Sequence, residues 1–280
     1  MVSTTDKMAK IQSIFIDSKK KGLSISDLNE LNNCLINNDT EYISIAYEAA
    51  AMGIAIKSIQ KTASLQIWDE FYQKYGKKHA NQIHVGMGWA IAELELDICS
   101  YIDEFEPFLK YRVIDGYAYY HGKFKRRQAV RLQEIPKNLD ILSIRAYNQG
   151  LGRCFWYNAQ GEVDKLIRLI NIFPKERHFD MWRGIGVAIA YVGSIELSDL
   201  KTIIHHSDKY IEAFKCGLSI AIQTKQKAKA ISESSEKICE SVFRLSAKEI
   251  AEKLNQFETE IKASENFSYF DWIKTIENSL

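Results

Sequence analysis

The sequence predicts an all-α protein made of tandem helical hairpins that stack into a solenoid or close into an α/α toroid. Three observations predict this fold. The 280 residues include only three prolines, and Ala, Leu, Lys and Glu, which have high helix propensity, are abundant. Apolar residues recur at steps of three and four along much of the chain. A short glycine motif also repeats at a period typical of helical-hairpin repeats.

The repeated motif is a small residue, any residue, Gly, any residue and a second small residue. Clear copies occupy residues 51–55, 86–90, 150–154 and 184–188, and weaker copies occupy residues 114–118 and 215–219. Successive central glycines are 35, 28, 36, 34 and 31 residues apart. We therefore expect about six hairpins, each with an outer amphipathic helix and a second helix that carries the glycine.

The elements follow this repeat in chain order. Residues 1–45 are expected to form N-terminal lead-in helices. The repeat core, residues 46–223, contains helical patterns at 65–75 and 83–96, at 163–170 and 181–192, and at 197–205 and 210–223. Residues 224–280 have the pattern of C-terminal helices, and their aromatic stretch at 267–273 is expected to dock on the body. No linker interrupts the chain, which predicts a single domain over residues 1–280.

The mid-helix glycines require a physical cause. Each costs about 1 kcal/mol relative to alanine in a helix interior. Two explanations compete: the glycines let helix backbones approach each other closely, or they make room for a ligand in a cavity.

Composition and charge limit the function classes. The net charge of +1 argues against nucleic-acid binding, and five scattered cysteines favour a reducing compartment over a disulfide framework. Neither a signal peptide nor a membrane span is recognisable, so we expect a cytoplasmic protein. The sequence contains no standard nucleophile, phosphate-loop or zinc motif, and we expect no cofactor and no metal.

A first candidate cluster lies around the weak glycine copy at residues 114–118. Asp115 and Tyr119 are four residues apart, so they share a helix face, and Tyr117 and His121 form a neighbouring pair. A carboxylate beside phenols or an imidazole can transfer protons to and from a bound substrate. Alternatively, Asp115 makes a structural hydrogen bond in a crowded interior.

A second candidate cluster surrounds Arg153, which directly follows a helical glycine in an apolar and aromatic stretch. Gln149 precedes it by four residues and Trp156 follows it. A buried arginine requires a carboxylate or an anionic ligand group as its partner, and Asp115 is one internal candidate. Such a pair would be either structural or catalytic.

Two further sets of residues allow both a structural and a functional interpretation. Trp89, Glu93, Trp156 and Trp182 follow or flank the glycine motifs, so they either fill the core or line a pocket for a polyene or polycyclic substrate. A basic run comprises Lys123, Lys125, Arg126, Arg127 and Arg131. It is either a solvated face or a docking surface for an acidic carrier protein or a phosphate group, which charge reversal at Arg126 and Arg127 would test.

The chain resembles a bacterial family of unknown function associated with enediyne and related polyketide biosynthesis clusters. The matching segments are YEAAAMG at 47–53, HVGMGWA at 84–90, DGY at 115–117, QGLGR at 149–153 with Trp156, FP at 173–174, GIGVA at 184–188 and YVG at 191–193. They cover roughly residues 42–225 in order. The chain departs from the expected pattern at Asn148, Tyr120 and His121. The resemblance implies a role in tailoring a polyketide-like product.

Two functions follow as hypotheses. In the first, the protein is a cofactor-free enzyme that cyclises, isomerises or otherwise tailors a hydrophobic polyene-type intermediate. Its catalytic residues would be Asp115, Tyr119, His121 and Arg153, and its substrate-binding residues Trp89, Glu93, Tyr117, Gln149, Trp156 and Trp182. In the second, it is a non-enzymatic helical-repeat adaptor or carrier that binds a synthase, an acyl carrier protein or the product, including self-resistance by sequestration.

Overall fold

Helices account for most of the computed structural model, which describes residues 3–264 and 267–280. They are α1 (Thr4–Ser24), α2 (Leu28–Leu35), α3 (Ile43–Thr62), α4 (Gln66–Phe71), α5 (Ala80–Glu93), α6 (Lys110–Phe124), α7 (Ile141–Asn158), α8 (Val163–Asn171), α9 (Lys175–Val192), α10 (Leu197–Ser207), α11 (Ile211–Lys227), α12 (Glu233–Phe243), α13 (Ala247–Lys262) and α14 (Tyr269–Ser279). The described residues contain no β-strand. The predicted all-α class is confirmed.

Many helices begin at a residue whose side chain satisfies the free amides of the first turn. Asp27 accepts from Asn29 and Glu30 at the start of α2, and Asp140 accepts from Ser143 at the start of α7. Ser246 and Glu249 form a reciprocal capping box at the start of α13. These caps explain why polar residues interrupt the apolar periodicity at these positions.

Seven long helices, α1, α3, α5, α6, α7, α9 and α11, each contact the next one along the chain. Two contacts give the relative direction of α6 and α7. Gln149 donates to Asp115 in the middle part of both helices, and Asn158 donates to the carbonyl of Gly122 near the end of both. The two helices therefore run in the same direction. The shorter helices α2, α4, α8, α10 and α12 lie in the connections between members of this stack and beyond its last member.

The motif glycines lie where neighbouring backbones of the stack meet. A Cβ atom on Gly88 would lie 2.6 Å from the amide nitrogen of Tyr117 on α6, and one on Gly184 would lie 2.6 Å from that of Arg153 on α7. Backbone atoms of the adjacent helix also obstruct Gly53, Gly86, Gly116, Gly150, Gly152, Gly186 and Gly217. The close-approach explanation is therefore confirmed at these positions, and the prediction that the glycines are mid-helix is confirmed as well.

The N-terminal segment is more than a lead-in. Helix α1 packs along α3 through Gly22, whose Cβ would meet the backbone of Ala50. This contact repeats the geometry of the later interfaces, so α1 is a seventh member of the stack. The sequence analysis missed it because Gly22 lies between Lys20 and Ser24 and lacks the motif's flanking pattern.

The aromatic stretch at the C-terminus docks on the body, as predicted. Tyr269 and Trp272 are buried, and the Tyr269 ring lies 5.5 Å from those of Phe108 and Tyr111. A single hydrophobic cluster extends from Met8 in α1 to Ile276 in α14.

Helices that are distant in sequence also meet. Asn81 on α5 donates to the hydroxyl of Thr224 on α11 at 3.0 Å, and Thr4 on α1 donates to the carbonyl of Ser194 after α9 at 2.9 Å. The stack therefore bends back on itself. Across the described residues, none of the helices combines the length and hydropathy needed to cross a membrane.

Candidate active site in an interior cavity

A cavity of about 680 Å³ lies inside the curved stack. All seven long helices contribute to its wall. Most of the lining is apolar, with Met52, Val85, Val187 and Ile220 among its buried side chains. A volume of this size is typical of small-molecule sites, which range from about 300 to 1,000 Å³.

The two sequence-predicted clusters meet at this cavity. Asp115 on α6 is 2% exposed, and its Oδ1 lies 2.8 Å from Nη2 of Arg153 on α7. Its other oxygen, Oδ2, accepts a hydrogen bond of 2.8 Å from Gln149. The predicted pairing of Asp115 with Arg153 is confirmed.

The ion pair leaves one donor of the guanidinium free. Nη2 of Arg153 is paired with Oδ1 of Asp115 at 2.8 Å, whereas Nε of Arg153 has no hydrogen-bond partner among the described residues. The guanidinium lies 4.7 Å from the ring centroid of Tyr119, whose face supports it. Burial lowers the pKa of Arg153, but Asp115 and Glu48 more than offset this effect, and the pKa is raised overall.

Glu48 on α3 is the principal functional candidate that sequence analysis missed. It is 3% exposed and lines the cavity, and its Oε2 has no hydrogen-bond partner in the described chain. Burial raises its pKa to about 7, with Asp115 adding to the increase and Arg153 opposing it. A signal existed: Glu48 is the only charged residue between Ile43 and Ile56.

Several other buried polar atoms facing the cavity have no partner among residues 3–264 and 267–280. They are Tyr191 OH, Gln82 Oε1, and Nε and Nη2 of Arg112. Buried polar groups in native proteins are nearly always hydrogen-bonded, because each unmade bond costs about 1–3 kcal/mol. Their concentration on one cavity indicates a site for a polar group of a ligand.

Three tyrosines provide neutral hydroxyls around this cluster. Burial, as the largest cause, raises the pKa of Tyr119, Tyr157 and Tyr191 well above the usual value, and Glu48 contributes to each increase. They therefore remain protonated at neutral pH, and their O–H groups can donate hydrogen bonds to a ligand oxygen.

Comparison with known proteins assigns the chain to a family. The family described as "Protein of unknown function (DUF1702)" matches residues 2–280, almost the whole sequence. The chain belongs to this family. No curated protein and no solved structure matches it.

Two of the predicted substrate-binding residues lie at the cavity. Trp89 lines it, and its ring lies 4.7 Å from that of Phe15 on α1 and 4.8 Å from that of Tyr119. Glu93 also lines the cavity, but its carboxylate is paired with Lys19 at 2.6 Å. Gln149, a third predicted substrate-binding residue, does not line the cavity itself. It donates a hydrogen bond to Asp115 and accepts one from the hydroxyl of Tyr269 at 3.4 Å.

The remaining predicted site residues lie outside the cavity lining. His121 faces the hydroxyl of Tyr147 at 3.2 Å, and burial, aided by Lys125, lowers its pKa to about 4. The Tyr117 ring lies 4.3 Å from that of His121 in a tilted arrangement, and its hydroxyl donates to the carbonyl of Leu96. The side chains of Tyr117 and His121 point away from the helix face that carries Asp115 and Tyr119, because residues two apart on a helix lie on different faces.

Trp156 and Trp182 are also core residues. Both are buried, and neither lines the cavity. The Trp182 ring makes an edge contact with Phe214 on α11. The core interpretation is therefore correct for these two tryptophans.

The cavity reaches the surface beside the basic run. Lys123 and Phe124 line the cavity, as do Ile16 and Leu23 of α1. The side chains of Phe124, Ile16 and Leu23 are all exposed to solvent, and that of Phe124 is 56% exposed. Arg126, Arg127 and Arg131 follow on the exposed surface, whereas Lys125 pairs with Glu95. An apolar mouth with cations beside it leads into the site.

Proposed function

We propose that this protein is an enzyme that isomerises or cyclises a hydrophobic polyene-type intermediate without a cofactor. We place this reaction in the cytoplasm, in natural-product biosynthesis of the enediyne or polyketide kind. The observation that carries the proposal is the buried Glu48, Asp115 and Arg153 cluster in the wall of a large apolar cavity, where Glu48 Oε2 and Arg153 Nε have no hydrogen-bond partner among the described residues.

The shape and lining of the cavity support an apolar substrate. About 25 cal/mol is gained for each Å² of apolar surface removed from water, so a polyene chain gains several kcal/mol by entering. The many aliphatic and aromatic side chains of the wall match such a molecule, whereas a sugar or nucleotide would leave its hydroxyls without partners.

The cluster supports proton transfer as the reaction type. A group with a pKa of about 7 is present in both acidic and basic forms near neutral pH, which suits general acid–base catalysis. Glu48 would remove a proton from an activated carbon and return one at another carbon, which leaves the oxidation state unchanged. The guanidinium of Arg153 and the hydroxyl of Tyr191 would stabilise the negative charge that develops on a conjugated carbonyl oxygen.

A gene deletion in the native host, followed by reconstitution, tests the proposal. The deletion strain should accumulate a compound of the same mass as the missing product, because isomerisation and cyclisation conserve mass. Purified protein should convert this compound, with uptake of solvent deuterium. Glu48→Gln should reduce the rate by about 10²-fold or more, as loss of a general base does.

The exposed Glu70→Gln variant is the matched control and should keep full activity. Full activity of folded Glu48→Gln would contradict the catalytic assignment. Stoichiometric binding of the final product without any conversion would favour the alternative function, a carrier that sequesters the product. The cavity supports that alternative as well, since its volume can hold a ligand without chemistry.

A further inference from the structure

A second arginine, Arg112, also lines the cavity, and its guanidinium makes no ion pair with any described residue. Arg112 lies three residues before Asp115 on α6, so the two side chains share a helix face. It is 4% exposed, and the arginine ion pairs of the described residues involve Arg145, Arg153 and Arg183 instead. Its guanidinium carbon lies 4.8 Å from the centroid of the Tyr269 ring. An uncompensated buried cation of this kind is costly.

The free atoms of Arg112 match one ligand geometry. Its Nε and Nη2 have no hydrogen-bond partner within the described chain. These two N–H groups form one edge of the planar guanidinium, and together they bind both oxygens of a carboxylate. In Arg153, by contrast, Nη2 is already paired with Asp115 at 2.8 Å, so only Nε is without a partner among the described residues.

The charge balance of the cavity agrees with an anionic ligand. Arg112 and Arg153 provide two positive charges, and Asp115 provides one negative charge in the ion pair. Glu48 alternates between neutral and ionised near pH 7, because burial raises its pKa to about that value. One further negative charge balances the cluster when Glu48 is protonated.

We propose that the ligand of this cavity carries a terminal carboxylate, which binds side-on to Arg112. The apolar body of the ligand extends from there along Met52, Val85 and Val187. The ligand class is therefore a long-chain or polyene carboxylic acid. This inference specifies the substrate class of the site proposed above and rests on that site being the binding site.

Binding of simple amphiphiles tests the head-group preference. The probes are dodecanoate, 1-dodecanol, dodecylamine and dodecyl phosphate, measured against the full-length protein by calorimetry and tryptophan fluorescence. Dodecanoate should bind at least about tenfold more tightly than the alcohol, since one charge-assisted contact contributes about 1.5–3 kcal/mol. The amine should bind more weakly than the alcohol.

Arg112 variants assign the preference to this residue. Arg112→Gln should bind the alcohol as the wild type does and lose the preference for dodecanoate, while Arg112→Lys should keep only part of it. Alcohol binding thus also reports that the variant is folded. Equal affinity of the wild type for acid and alcohol, tighter binding of the phosphate, or an unchanged preference in Arg112→Gln would overturn the proposal.

The outcome is separable from that of the proposed enzyme activity. If the protein prefers carboxylates but converts no intermediate, the proposed enzyme activity is wrong and the carboxylate site is correct. If it converts a neutral intermediate and shows no preference among the amphiphiles, the enzyme activity is correct and the carboxylate site is wrong.

Discussion

At the scale of single residues, Glu48 couples the candidate chemistry to stability. Its pKa rises from the usual 4.5 to about 7 on folding, with burial as the main cause. A carboxyl whose pKa is higher in the folded state contributes stability below pH 4.5, and this contribution is lost as the pH rises through 7. The ionised Glu48 in an apolar wall therefore lowers the free energy of unfolding at neutral and alkaline pH.

Glu48→Gln removes this ionisable group. The free energy of unfolding of the variant should equal that of the wild type near pH 4.5 and exceed it increasingly as the pH rises. The difference should reach about 3 kcal/mol above pH 8, since each pKa unit corresponds to about 1.4 kcal/mol. Urea unfolding at pH 5 and pH 8.5 measures this difference. The exposed Glu70→Gln should show no such trend. A difference between Glu48→Gln and wild type that is equal at both pH values would refute the argument.

Sequence patterns predicted part of the site at this scale. Asp115 and Arg153 stood out because a charged residue beside a helical glycine must find a partner in a crowded interior, and they pair. Arg112 and Tyr191 gave no comparable signal, since their importance depends on which atoms lack partners in three dimensions. His121 was predicted to act together with Asp115, but it lies outside the cavity lining, because residues six apart on a helix point to different faces.

At the scale of helices, the glycines fix how closely the members of the stack approach. Helix α6 contains two glycines with different surroundings. A Cβ on Gly116 would lie 2.8 Å from the carbonyl carbon of Val85, which belongs to the backbone of α5. A Cβ on Gly122 would instead meet only side-chain atoms, Cβ and Sγ of Cys154 at 3.1 Å and Cδ2 of Leu151 at 3.2 Å, which must shift by a few tenths of an ångström. The two sites form a matched pair within one helix.

Gly116→Ala and Gly122→Ala should therefore have opposite effects on stability. Alanine is favoured over glycine by about 1 kcal/mol in a helix, and Gly122→Ala should gain part of this value. Gly116→Ala should lose at least about 2 kcal/mol, because overpacking forces two backbones apart and costs more than the helix propensity returns. Thermal unfolding measures both. Equal changes in melting temperature would show that close approach is not the role of Gly116.

The elements themselves were predictable where one motif recurs with a regular period. The helices that carry Gly53, Gly88, Gly152 and Gly186 follow from apolar periodicity and small flanking residues. The connection between α5 and α6 did not follow, because it consists of short 3₁₀ turns at Ile98–Ser100 and Ile102–Glu104 in place of an outer helix. No helical period exists in such turns to be detected.

At the scale of the whole molecule, the return of the stack on itself depends on contacts that no local pattern encodes. Lys225 near the end of α11 lies 3.7 Å from Glu41, just before α3, and Glu41 also pairs with Lys7 of α1 at 3.0 Å. This cluster joins the first two members of the stack to its last. Its residues are separated by up to 218 positions, from Lys7 to Lys225, so a repeat-based prediction cannot distinguish a solenoid from a closed toroid.

Glu41→Gln should destabilise the protein in a pH-dependent manner. Burial already lowers the pKa of Lys225 to about 8, and Glu41 opposes this effect. Without the carboxylate the pKa falls further, so folding at pH 7 must release a proton that the unfolded chain keeps. We expect a loss of about 3–5 kcal/mol at pH 7, the range for removing one partner of a buried pair. The loss should shrink towards pH 10, where the unfolded lysine also deprotonates.

The double variant Glu41→Gln/Lys225→Met separates this mechanism from a simple loss of packing. Methionine fills a similar volume without a charge, so the double variant should recover most of the stability at pH 7 and lose the pH dependence. Urea unfolding at pH 7 and pH 9.5 measures both variants. If the single variant loses the same stability at both pH values, Lys225 is not the group that makes Glu41 necessary. The link between α11 and α3 would then depend on the apolar contacts around the pair.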